Sequence, residues 1–136
     1  MPFLDVFICS TRENDGFSWN PTGDAFNIGN LPKVLGPGFP PSIDPGRPGA
    51  WDLVSKRIEQ GRYPGRRIDY AASAGLINLE EILELVEEVF PTGWTYDDPG
   101  SSIKAFAHLD TRLIEFRQFI ANLEPGAYII VACESG

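Results

Sequence analysis

The chain has one imidazole and two thiols: His108, Cys9 and Cys133. A zinc site built from these three lacks a fourth ligand and any C-x-x-C pair, so no metal is expected. Cys9 beside His108 would make a nucleophile and its base. Cys9, however, closes an apolar run that reads as a strand, and His108 stands just ahead of a helix cap. They read as a core thiol and a surface imidazole. Gly23 to Gly29, GDAFNIG, fits neither G-x-G-x-x-G nor the Walker pattern, and Gly36-Pro37-Gly38 puts proline where an amide should face phosphate. No nucleotide or other cofactor is expected, and no catalytic constellation is assigned.

Carboxylates are the remaining chemistry. Asp5 interrupts an apolar strand; it is either the strand's exposed start or a site residue partnered by an arginine, because an unpaired buried carboxylate is costly. Glu80, Glu84, Glu87 and Glu88 fall opposite the apolar stripe of one helix, with Glu81 flanking them and no lysine on that face. Such a ridge is either a solvated face, relieved internally by Arg62, Arg66 and Arg67, or a surface that steers a basic protein. Trp94, Tyr96, Asp97 and Asp98 follow the helix directly. Aromatics beside acids suit an interface, and a core role for Trp94 stays open. The candidate binding set is therefore Glu80, Glu84, Glu87, Glu88, Trp94, Tyr96, Asp97 and Asp98.

The charge of the whole chain sets the class of partner. Net charge is −8, which excludes a general nucleic-acid binder, since phosphate neutralisation needs surplus Lys and Arg. Six of eleven basic residues (Arg47, Lys56, Arg57, Arg62, Arg66, Arg67) lie between 47 and 67, and seven acids lie between 80 and 98. The longest apolar run, Ala127 to Cys133, falls far short of the ~20 residues that span a bilayer. With no basic leader before Phe3, a soluble, cytoplasmic protein is expected, its two cysteines reduced and buried.

These residues need elements to position them. At 136 residues, 43% hydrophobic and 22% charged, the expectation is one α/β domain over 1–136 with its own core. Phe3 to Ser10 and Ala127 to Glu134 read as strands, the second apolar on both faces. That pattern predicts a central, mixed sheet with both chain ends in its middle and helices above and below. Three helices are expected. The first runs from about Ala50 to Gln60, stopping at Gly61. The second starts at Asn78, with Glu81 in the capping-box position, and ends at Pro91. The third carries Leu109, Leu113, Phe116, Ile120 and Leu123, with Asp110 as cap and Pro125-Gly126 as stop. Arg66 to Gly75 reads as a short strand or as a lead-in to the second helix.

The 11–47 region is a long loop. From Pro32 to Gly49, ten of eighteen residues are Pro or Gly, which suits neither helix nor central strand. Asn14-Asp15-Gly16 is a turn signal that would start a short hairpin. Phe17, Trp19, Phe26 and Phe39 would anchor an ordered loop over the sheet.

Asp5 to Asp15, DVFICSTREND, resembles the first strand and loop of TIR domains, and Ile43-Asp44-Pro45-Gly46 with Trp51 and Ile58 is faintly similar to their second loop and helix. The resemblance implies a parallel α/β fold and, as in members that cleave NAD, a catalytic glutamate, here Glu80 or Glu81. The chain departs from the pattern thereafter. It has no serine-rich third strand with a Trp-Cys pair before a glutamate helix, and no family is assigned.

Two functional expectations follow. The first is a small acidic protein-binding domain, an inhibitor or immunity-type protein that neutralises a basic partner by steric and electrostatic blockade. The alternative is a small-ligand or enzymatic domain whose pocket holds Asp5 or a glutamate near the 47–67 arginines.

Overall fold

The computed structural model describes residues 3–11, 19, 32–41, 49–69, 71–93 and 107–135. Four strands, β1 (Phe3–Cys9), β2 (Gly65–Asp69), β3 (Ala72–Asn78) and β4 (Ala127–Ser135), form one sheet in the order β1-β4-β3-β2. Every pairing is antiparallel. Among the described residues the sheet is thus not mixed, which corrects the parallel fold implied by the TIR resemblance. The two chain ends do pair, with Val6 opposite Ala132 and Ile8 opposite Ile130, but only β4 is central; β1 is an edge.

The helices α1 (Ala50–Glu59), α2 (Leu79–Val89) and α3 (Ala107–Ala121) send their buried residues to one face of the sheet. Val54, Ile58, Ile82, Leu85, Val89, Leu113, Phe116 and Ile120 meet Val6, Ile8, Ile77 and Ile130 there. The opposite face carries Cys9, Ala74, Ile129, Val131 and Cys133, sealed among the described residues by Trp19. Among the described residues, no helix lies over this second face. An aromatic residue brought in from the long loop covers the second face.

Each helix end has a local cause. Gly61, at φ +82°, follows α1 in a conformation that side chains resist. At α2 the Asn78 side chain accepts a hydrogen bond from the Glu81 amide at 2.8 Å, satisfying one of the helix's orphan donors. Asn78→Ala is expected to cost about 1 kcal/mol, read as a lowered urea midpoint at unchanged slope. α3 begins at Ala107, so Asp110 lies inside its first turns and is not its cap. The helix stops at Ala121, four residues before Pro125, and its last turn tightens through Asn122 and Leu123 amides donating to Phe119 and Ile120 carbonyls.

The undecided Arg66–Gly75 stretch is a hairpin, with Arg66 opposite Ala74 and Arg67 opposite Ser73. At Gly75 in β3, bulk above the strand leaves no room for a side chain. A Cβ on Gly75 would lie 2.7 Å from the Tyr63 carbonyl and 3.1 Å from the Ile58 side chain.

Part of the Pro/Gly segment answers a different need from the one expected. Residues 33–39 run along the outer edge of β1. Leu35 and Phe39 amides donate to the Ile8 and Val6 carbonyls at 2.9 and 2.8 Å, and the Ser10 amide donates to Lys33. An open edge invites pairing with other chains, and this strip occupies it while its prolines offer no further donors. Gly36 is required where the strip meets α3, because a Cβ there would sit 2.4 Å from the Phe119 ring. Phe39 packs on Phe116, ring centroids 4.5 Å apart, and Trp19 is buried as an anchor. The turn at 14–16, the hairpin arm at Phe17, and Phe26 lie outside the described residues.

Candidate functional site

The acidic face of α2 is held from within. Arg62 contacts Glu84 at 2.9 Å and Glu81 at 3.1 Å, and Arg57 pairs with Glu88. Glu87 accepts hydrogen bonds from the Thr92 amide and hydroxyl, each 3.0 Å. Glu80 is exposed at the helix start, where a carboxylate is favoured by the helix dipole. The expectation of a ridge left uncompensated for an outside cation is therefore corrected: two arginines of the same chain stand across it. Trp94, Tyr96, Asp97 and Asp98 lie outside the described residues.

Arg57 is the partner that sequence reading missed. Its place in the chain groups it with the 47–67 basic cluster and does not by itself set it opposite the ridge. The signal was its position: three residues from Val54 and next to Ile58, on the edge of the apolar stripe of α1. It is 8% exposed, and it donates to the Tyr63 hydroxyl at 3.0 Å as well as to Glu88. Burial works against its charge, but the bonds to Tyr63 and Glu88 outweigh that and hold its pKa above the ordinary arginine value. Burial raises the Tyr63 phenol in turn, with Arg57 partly offsetting the effect. The triad joins α1, the following loop and α2 and serves as a structural tie.

The Glu87 carboxyl is held below the ordinary glutamate range, first by the Thr92 amide and then by its hydroxyl. A pKa depressed by folding means stability that is present above the unfolded value and lost as pH falls through the folded one. Thr92→Ala is expected to move the Glu87 titration, followed by carboxyl NMR, upward toward the ordinary value. A titration unchanged by the substitution contradicts this assignment.

The other candidate is a groove of about 590 Å³ on the helix-bearing face. Its wall is one side of α1, with Trp51, Ser55 and Glu59 at four-residue spacing, joined by Ile58. Its floor is the row Arg67–Ser73–Ala132 across β2, β3 and β4, with Glu134 two residues further along β4. Gly65, Ser73 and Ala132 are too small to reach α1, and the groove is the space they leave. Arg66 contributes from the neighbouring position, but its register faces it the other way, where its guanidinium lies 5.6 Å from the Trp19 ring. The Trp51 indole N–H is buried with no acceptor among the described residues, a local cost of about 1–3 kcal/mol.

The groove brings together a glutamate and an arginine of the 47–67 cluster, as the small-ligand reading expected. It does not include Asp5, which is exposed on the opposite face of β1 beside Cys133, nor any residue of the described Pro/Gly strip. Both thiols are buried and form no disulfide. Cys9 stands opposite Ile129 and Cys133 four residues further along β4, about 13 Å at strand rise and beyond disulfide or shared-zinc reach. Among the described residues, no three His, Cys, Asp or Glu side chains gather as a metal site needs, and no helix is long and apolar enough to cross a membrane. Compared with known proteins, the chain matches no family model, no curated protein and no solved structure, so the reading of its site rests on its own residues.

Proposed function

We propose that this protein is a binding domain that takes a small ligand in the groove between α1 and the sheet. The observation that carries this is the groove itself. Its volume of about 590 Å³ falls in the range of ligand sites, and an aromatic residue shares its lining with a few charged groups. Internal pairing on α2 adds support by removing the main reason to look for the site there. A fragment screen followed by amide NMR tests the reading. Hits are expected to shift the Ser73 and Ala132 amides, and Ser55→Trp, which fills the groove from its wall, is expected to abolish those shifts. Fragments that move only other amides, or that bind Ser55→Trp unchanged, contradict it.

The second reading is the inhibitor or immunity-type protein with a basic partner. It is favoured by the net charge of −8, a sum that already includes the arginines paired on α2. Its electrostatics then belong to the whole surface more than to one ridge. Glu80→Lys is the informative change on α2, because substitutions at Glu84 or Glu88 also break the pairs with Arg62 and Arg57. Partner affinity that is insensitive to both salt and Glu80→Lys counts against this reading.

A further inference from the structure

We infer that the ligand of the groove is a neutral carbohydrate, a short saccharide lying along α1 with its hydroxyl groups on the carboxylates and serines of the lining; this rests on the groove being the binding site. The α1 wall carries the inference. Trp51, Ser55 and Glu59 follow one another at four-residue steps, each about 6 Å along the helix, so an aromatic ring, a hydroxyl and a carboxylate stand in one row over the sheet. Trp51 is half-buried, packed on the core while it lines the groove. The floor adds the Ser73 hydroxyl, with Glu134 beyond Ala132. Among the described residues, the side chains of Ser55, Glu59, Ser73 and Glu134 make no hydrogen bond or ion pair, so the groove holds four polar groups that its own structure does not use.

The kinds of group left unused select the ligand. A carboxylate only accepts hydrogen bonds, whereas a serine hydroxyl donates and accepts, so the lining suits a molecule rich in groups that do both. Alcohols do both, and their bonds to carboxylates are of the stronger, charge-assisted kind. The C–H faces of a sugar ring supply apolar surface for the aromatic wall. Charge separates this ligand from its rivals. An anion would meet Glu59 and Glu134. A cation would meet the guanidinium of Arg67, which already has an interaction within the chain and is not called on here. A neutral polyol uses all four groups and meets no like charge. Room is sufficient as well: about 590 Å³ stays open with the side chains in place, and the row from Trp51 to Glu59 is about 12 Å long, enough for two linked sugar rings.

The test titrates the full chain with a panel of hexose and pentose mono- and disaccharides, and with cyclohexanol, hexylamine and hexanoate. Binding is followed at the Ser73 and Ala132 amides and at the Trp51 indole N–H. At least one disaccharide is expected to shift all three signals and to bind about tenfold more tightly than its own monosaccharide or cyclohexanol. Glu59→Ala and Ser73→Ala are each expected to weaken it about five- to tenfold. Lys56→Ala, exposed on α1 outside the groove, is expected to leave it unchanged. Hexylamine or hexanoate binding more tightly than every sugar overturns the inference, and so does a saccharide indifferent to both Glu59→Ala and Ser73→Ala. If no saccharide moves these signals while other fragments do, the carbohydrate inference fails and the groove stands. If no molecule of any kind moves them, the groove reading fails with it.

Discussion

Gly65→Ala is expected to destabilise the domain by about 3 kcal/mol or more, a large share of the roughly 5–15 kcal/mol that holds such a fold together. The reason is steric and lies in the backbone. A Cβ at Gly65 would sit 2.0 Å from the Ala74 carbonyl oxygen and 2.4 Å from the Gly75 Cα. Neither is the end of a flexible side chain, so relief requires moving β2 off β3. The two glycines face each other in the hairpin register, and Gly75 is pressed in turn by Tyr63 and Ile58. Because Gly65 also lines the groove, the substitution should weaken binding together with stability. Gly61→Ala is the control. Its φ of +82° makes a side chain strained, but nothing lies within 4 Å of the new Cβ. A cost of about 1–2 kcal/mol is expected there. Urea denaturation of the two variants separates crowding from conformational strain, and equal losses would refute the steric account.

Arg57→Met is expected to cost about 2 kcal/mol. Methionine keeps much of the apolar stem while removing the donors to Tyr63 and Glu88. The Tyr63 hydroxyl is then left in a residue with no exposed surface, and a buried group without its partner carries a penalty of about 1–3 kcal/mol. Glu88 adds less, because its side chain is 39% exposed and water can take over the lost contact. Tyr63→Phe alone should be milder, near 1 kcal/mol, since the Arg57 guanidinium keeps its bond to Glu88. The double variant Arg57→Met/Tyr63→Phe should lose less than the sum of the two, with a coupling of about 1 kcal/mol. Strict additivity would show that the Arg57–Tyr63 bond contributes no stability of its own.

The local signals were legible without a structure. The stripe Leu79-Ile82-Val86, the Asn78 cap with Glu81 three residues on, and the stop at Gly61 fix helices by chemistry within a single turn, and α1 and α2 lie where those residues put them. The doubly apolar Ala127–Cys133 run marked the strand that became the centre of the sheet. β3 was not legible as a strand, because Ala72, Ser73, Ala74 and Gly75 have no strand preference of their own. Gly75 lacks a side chain because Tyr63 and Ile58, distant from it in chain order, occupy the space above it, whereas Ala72 and Ala74 pack on the other face of the sheet.

The residues that could be named from the chain and the way they are combined are thus separate matters. Composition and spacing determined an α/β domain with an acidic helix, a basic segment before it and no encoded metal or nucleotide motif. Only the tertiary structure decided that Arg57 and Arg62 face that helix, that the Pro/Gly strip guards the β1 edge, and that Glu59, Arg67 and Glu134 share one groove. The physical reason is range. Capping and periodicity act within a few residues, whereas charge pairing and the size of a cavity depend on strand register and on which side chains are too small to fill the gap beneath a helix.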